Sequence, residues 1–224
     1  MIGVYLEVTK RRTFAGALDW PGWTRPGKTP EAALETLADY RARYATVLKA
    51  AKIRPPGPQP FDLAETLEGD ATTEFGAPGR HPSADSVPLS TAEAKHLIRI
   101  WRACWEALDR AGQAAPPTLA KGPRGGGRDR DAILAHVVGA DQAYARMVRL
   151  KSSSLLNAAF DRGPEAIHRP EVAAEVEALH QGMIEAVMAG AVGEGADYRW
   201  PARYLVRRSA WHALDHAWEI EDKS

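Results

Sequence analysis

Residues 207–222 read RRSAWHALDHAWEIED, and within them His212 and His216 stand four positions apart. On a helix that spacing stacks two side chains on adjacent turns of one face, about 5–6 Å apart at Cβ. Two imidazoles that close can share a metal ion. Leu205, Ser209, Ala213 and Ile220 fall on the same stripe, which directs the pair inward, and the small Ser209 and Ala213 leave room around the rings. The pair is not the zinc-protease pattern, which requires Glu directly after the first His, where this chain has Ala213.

Around this stretch the pattern is helical from Ser90 onward. Leu97, Trp101, Cys104, Trp105 and Leu108 form the stripe of a first helix over about 90–112, opened by Ser90-Thr91 ahead of Glu93 in a capping-box pattern. A second helix over about 129–150 carries Ile133, His136, Val137, Ala140, Tyr144 and Met147 on one face. A third over about 170–190 presents Val172, Val176, Leu179, Met183 and Val187, and the last runs over about 201–221. Four amphipathic helices without a strand pattern among them imply a four-helix bundle over 90–224.

His136 lies on the apolar side of the second helix, where a histidine must find a partner or cost stability. Three histidines from two packed helices supply three metal ligands and leave positions open for water or substrate, the plan of a catalytic site. The spacing leaves a second reading open, in which all three are packing residues of the core. Asp141, Asp215 and Glu219 read as solvent-exposed helix charges, with orientation of the ligands as the alternative. Cys104 reads as a buried small apolar residue, His180 and His96 as surface or groove residues, and His81 and His168 as loop residues outside the site. Of the tryptophans, Trp101, Trp105, Trp211 and Trp218 read mainly as core, while Trp20 and Trp23 are candidates either for an interface or for packing on their own helix.

The first half is mixed in character, so the fold class expected for the whole chain is α+β. IGVYLEV (2–8) and TFAGAL (13–18) are β-prone runs joined by the charged turn 9–12, a hairpin pattern. WPGWTRPGKTP (20–30) is too rich in Pro and Gly for regular structure, and Thr29-Pro30 then starts one helix to about residue 51. RPPGPQP (54–60) reads as a linker, FDLAETLEG (61–69) as one further strand, and 70–88 as an extended loop. The expected domains are therefore 1–53, a connecting 54–89, and 90–224.

Composition narrows the function classes. Lys+Arg and Asp+Glu both total 29, so the basic excess of a nucleic-acid binder is missing, and the basic clusters at 10–12 and 124–130 read as a turn and a loop. The single cysteine forbids an intrachain disulfide, consistent with a reducing cytoplasm. No apolar run reaches the roughly 18–20 residues that span a bilayer. GPRGGG (122–127) follows no strand and lacks the GK[ST] ending, so it is no phosphate loop. A cytoplasmic protein acting on a small molecule, without nucleic acid or membrane, is the expectation. Residues 2–8 as an edge strand, with exposed tryptophans, would favour a homodimer.

Two stretches carry resemblances. RDRDAILAHVVGADQAYARMV (128–148) followed by RRSAWHALDHAWEIED (207–222) resembles the DinB/YfiT-like superfamily, over roughly residues 90–222. The resemblance implies a four-helix bundle with a divalent metal on His136, His212 and His216. It also implies, for some members, transferase or isomerase chemistry with a low-molecular-weight thiol such as mycothiol or bacillithiol. TFAGALDWPGWTRPGKTPEAALETLADY (13–40) is similar to the HicB-like antitoxin domain, a small β-hairpin-plus-helix fold matching about residues 2–50, which implies an interaction or dimerisation module. The pairing of the two resembles an actinobacterial architecture. All-imidazole ligation suits zinc, nickel, copper or iron better than magnesium or calcium; zinc is the first expectation, with nickel, iron or manganese as alternatives. The functional expectations are a metal-dependent, thiol-using transferase or isomerase or a hydrolase, a non-catalytic regulatory module acting through the HicB-like half, and a detoxification protein that binds a small molecule without turning it over.

Overall fold

In the computed structural model the described residues are 1–122, 126–195 and 197–224. Part of the glycine-rich stretch 122–127 and of the basic cluster 124–130 lies outside them. Among them the chain is α+β, a four-stranded mixed sheet and eight α-helices. β1 (Ile2–Val8) and β2 (Thr13–Ala17) form the expected hairpin, antiparallel with Val4 opposite Ala17 and Val8 opposite Thr13. The Pro-Gly stretch holds a strand after all, β3 (Thr24–Gly27), at the edge beyond β2. An edge position needs only one ladder, which is why Pro26 is tolerated there.

The helix expected from Thr29 to about residue 51 is two, α1 (Pro30–Asp39) and α2 (Arg41–Ala50). Thr29 caps α1 by accepting from the Ala32 N–H, as the sequence implied. The break has a partner. The Leu37 carbonyl, which an unbroken helix would pair with the Arg41 N–H, accepts from the Trp23 indole Nε1 at 2.8 Å. β4 (Phe61–Glu68) is the further strand and pairs parallel to β1, giving the order β3-β2-β1-β4. The sheet therefore draws on both sides of residue 53. It also overturns the edge position expected for 2–8: β1 is interior, because β4 covers the side the hairpin leaves open. No tryptophan is exposed either, with Trp23 fully buried and Trp20 half-buried. Both observations behind the homodimer expectation are thus removed.

The segment 70–88, expected as an extended loop, folds back on the sheet. It contains α3 (Ala71–Phe75), capped by Asp70, and a 3-10 turn over Ser83–Ser86. Its anchor is Glu7 of β1, buried and accepting from the Thr73 hydroxyl and the Gly79 and Arg80 N–H groups.

The helical half is built on α4 (Thr91–Ala114), α5 (Arg130–Ala145), α7 (Pro170–Ala191) and α8 (Ala202–Lys223), each in contact with the other three. α5 ends earlier than expected, in a 3-10 turn over Arg146–Val148, and the connection to α7 holds a further short helix, α6 (Ser154–Phe160). One continuous apolar core runs from β1 and β2 through α1 and α2 into these helices. α8 sits at its centre, buried from Tyr204 to Leu214 without interruption. No described helix is long and apolar enough to cross a membrane.

Candidate metal centre

α8 and α5 bring the three histidines together. His212 and His216 follow one another by one turn of α8, and His136 faces them from α5. One ring nitrogen from each lies within 4.8 Å of those of the other two. The rings form a nearly regular triangle, with centroids 5.0 Å (His136–His212), 5.1 Å (His136–His216) and 4.7 Å (His212–His216) apart. Nε2 of His212 and Nε2 of His216 are 3.1 Å apart. Bonds of 2.0–2.1 Å in a tetrahedral shell would set two nitrogens about 3.3 Å apart, so this pair already stands close to ligating distance.

His212 is 6% and His216 8% exposed, and His136 is half-buried. Burial pushes His136 down to about 4, helped by the neighbouring His216 and Arg128. It pushes His212 well below the usual histidine range, helped by His216, Arg208, His136 and Arg128. Both rings are therefore neutral at pH 7, the form in which imidazole offers a lone pair. Glu219, one turn beyond His216, accepts from its Nδ1 at 2.7 Å. Its carboxyl is pushed down to about 2, first by that hydrogen bond and then by Lys223 on its other oxygen, so it stays an anion. A carboxylate on Nδ1 fixes the tautomer and turns the Nε2 lone pair toward the other two rings, the arrangement found behind metal-bound histidines. Nδ1 of His212 is buried with no hydrogen-bond partner. The distances, the neutrality of His136 and His212 and the carboxylate behind His216 all fit a divalent cation.

Of the three acids read as exposed helix charges, Glu219 is half-buried and does orient a histidine. Asp215 is also half-buried, paired with Arg25 at 2.8 Å. Asp141 is a correction, since it is fully buried. It accepts from Ser209 Oγ at 2.7 Å and from Trp105 Nε1 at 3.1 Å, with His180 Nε2 at 3.2 Å. Ser209 in turn accepts from Trp101 Nε1. This polar network braces α4, α5, α7 and α8 beside the triangle. Its one sequence signal was the apolar register of Asp141, eight positions after the core residue Ile133. His180, expected at the surface or in a groove, stacks on Trp105 at 3.7 Å. None of the four other histidines joins the triangle. Cys104 is buried, as expected, and burial raises its thiol pKa far above the range of a reactive cysteine.

Sequence reasoning passed over Arg208. It stands one turn before His212, and its guanidinium lies 4.8 Å from the Trp211 ring and 5.4 Å from that of Tyr144. Its signal was the same i, i+4 spacing that selected the histidine pair, continued one turn upstream. A cleft of about 620 Å3 opens at the start of α8, and none of the three histidines lines it. Comparison with protein-family models, with curated proteins and with solved structures found no match.

Proposed function

We propose that this chain holds one divalent cation, zinc in the first instance and otherwise nickel, iron or manganese, on His136, His212 and His216. We further propose that it acts as a metal-dependent enzyme of the DinB/YfiT type using a low-molecular-weight thiol. The observation that carries the metal reading is the triangle of imidazoles with Glu219 behind one of them. Three imidazole ligands suit borderline cations better than magnesium or calcium. Structural zinc sites close with a fourth protein ligand, whereas the three ligands here match a centre that keeps a place for a small molecule. A cation bound there supplies Lewis acidity, lowering the pKa of a thiol or a water. The chain's own residues do the rest. Glu219 holds the His216 tautomer, burial keeps His136 and His212 unprotonated, and the rings of Tyr144 and Trp211, 6.1 and 5.8 Å from that of His212, wall the centre with apolar surface.

The thiol and the transferase or isomerase class rest on the two motif stretches at 128–148 and 207–222. The regulatory alternative needs the first half free to dock a partner. Much of that half faces its own chain: Arg25 pairs with Asp215, Arg43 with Glu221 and Asp222, and Trp23 with α1. This favours the enzyme reading.

Elemental analysis by plasma mass spectrometry on untagged protein, beside His212→Ala, tests the centre. Near-stoichiometric metal lost in the variant is expected. A wild type that takes up no zinc, nickel or iron on dialysis would end the metal reading and leave the histidines as packing residues. On loaded protein, turnover of an electrophile only when mycothiol or bacillithiol is added supports the thiol, whereas hydrolysis without it would replace the transferase by a hydrolase.

A further inference from the structure

Four buried side-chain nitrogens among the described residues have no hydrogen-bond partner, and three of them lie within one turn of α8: Arg208 Nη1, Trp211 Nε1 and His212 Nδ1. Arg208 is the costly one, because a buried guanidinium without a counter-charge loses hydration and receives in return only the faces of the Trp211 and Tyr144 rings, 4.8 and 5.4 Å away. It is 9% exposed, and among the described residues its Nη1 meets no carboxylate or other hydrogen-bond partner. Its neighbour Arg207 shows how this fold treats a buried cation that serves structure. That guanidinium is held by both oxygens of Asp85 at 2.6 and 2.8 Å and by the carbonyls of Ala17 and Leu18. Asp141, the buried acid nearby, is already engaged by Ser209, Trp105 and His180.

The place of Arg208 gives the unpaired cation a meaning. It shares a helix face with His212 and His216, and the two rings it lies against, Tyr144 and Trp211, are the two that wall His212. Around the triangle the chain supplies three cations, Arg128, Arg208 and Lys223, against the carboxylates of Glu219 and Asp141. A divalent cation would add two further positive charges. The missing partner is therefore negative, and it must accept hydrogen bonds. A carboxylate offers two oxygens and about four lone-pair sites and matches the guanidinium fork.

We propose that Arg208, with Trp211 Nε1 as second donor, anchors a carboxylate group of the ligand, so that the centre at His136, His212 and His216 acts on small carboxylates. What the bound ligand is for rests on the metal-centre reading; whether it binds does not.

The test is titration of the full chain, metal-stripped and zinc-loaded, with sodium acetate and with inorganic phosphate at constant ionic strength. Tryptophan fluorescence and calorimetry report binding, and circular dichroism checks the fold. Saturable acetate binding to wild type is expected, weakened about tenfold or more in Arg208→Gln, equivalent to about 1.4 kcal/mol. Arg208→Lys should recover part of it, since it keeps the charge and loses the fork. Equal affinity in wild type and Arg208→Gln overturns the proposal, as does a wild type that binds no acetate in either metal state or prefers phosphate. Should neither variant fold, the guanidinium nitrogen resonances of wild type decide: a saturating shift with acetate supports the anchor, and unmoved resonances overturn it. Metal content measured on the same samples separates the two readings. Protein that takes no zinc yet binds acetate through Arg208 defeats the metal centre alone, and zinc-loaded protein indifferent to Arg208 defeats the anchor alone.

Discussion

Glu219 occupies both its oxygens in serving the centre, one on His216 Nδ1 at 2.7 Å and the other on Lys223. Removing its charge while keeping its shape isolates that role. Glu219→Gln is expected to fold normally and to lose roughly 10- to 100-fold in metal affinity, the usual cost of deleting the partner of a ligating histidine. Competition against a chromophoric chelator would measure it, and unchanged affinity would mean that packing alone orients His216. At this scale the three histidines were legible because helical spacing is a property of local sequence. Glu219 was within reach by the same logic, three positions after His216. Asp141 was not, since a carboxylate on an apolar register reads as exposed until its donors are known, and these come from α4, α7 and α8.

At the scale of single elements, the start of α4 is the clearest case of local chemistry. Ser90 Oγ accepts from the Glu93 N–H at 3.2 Å, and Glu93 accepts from the Ser90 N–H at 2.9 Å and from Arg203 at 2.6 Å. Ser90→Ala is expected to destabilise the chain by about 1 kcal/mol in urea titrations. The serine hydrogen bonds and then Arg203 push the Glu93 carboxyl from 4.5 down to about 2. Its folded pKa is below its unfolded one, so its contribution is present above about pH 4.5 and is lost as pH falls toward 2. The difference between wild type and Glu93→Gln should shrink across that window, and a constant difference would refute the assignment. This cap and that of α1 were readable because each is closed by residues three positions apart. β3 and the break at Tyr40 were not, because their partners, β2 and the Trp23 indole, are brought by the tertiary fold.

At the scale of the molecule, α8 ties the two halves together. On one side it carries the histidines, and on the other it meets the first half. Gly22 has φ +91°, and a Cβ there would come within 2.8 Å of Leu214 and 3.0 Å of Cys104, so the Pro21-Gly22 turn can press against α8 only as glycine. The Arg207–Asp85 pair, 6% and 0% exposed, fastens the same helix to the 3-10 turn over Ser83–Ser86. Asp85→Ala leaves a buried guanidinium without its counter-charge, and a loss of about 3–5 kcal/mol is expected from chemical denaturation. Replacing both partners, Asp85→Leu with Arg207→Met, should recover most of it. A double variant as unstable as Asp85→Ala would show that the lost carbonyl contacts, rather than the stranded charge, set the cost.

The sequence by itself determined the α+β class, the hairpin, the four long helices and the three histidines. Each follows from period, propensity or capping, which act within a few residues. Only the tertiary structure decided that β1 is an interior strand, that 70–88 packs on the sheet through Glu7, and that α8 is enclosed from both sides. It also decided that, of two adjacent arginines, Arg207 is paired and Arg208 is not. The physical reason is the same in each case. Burial of a polar or charged group is set by partners far away along the chain, and no local pattern encodes whether those partners arrive.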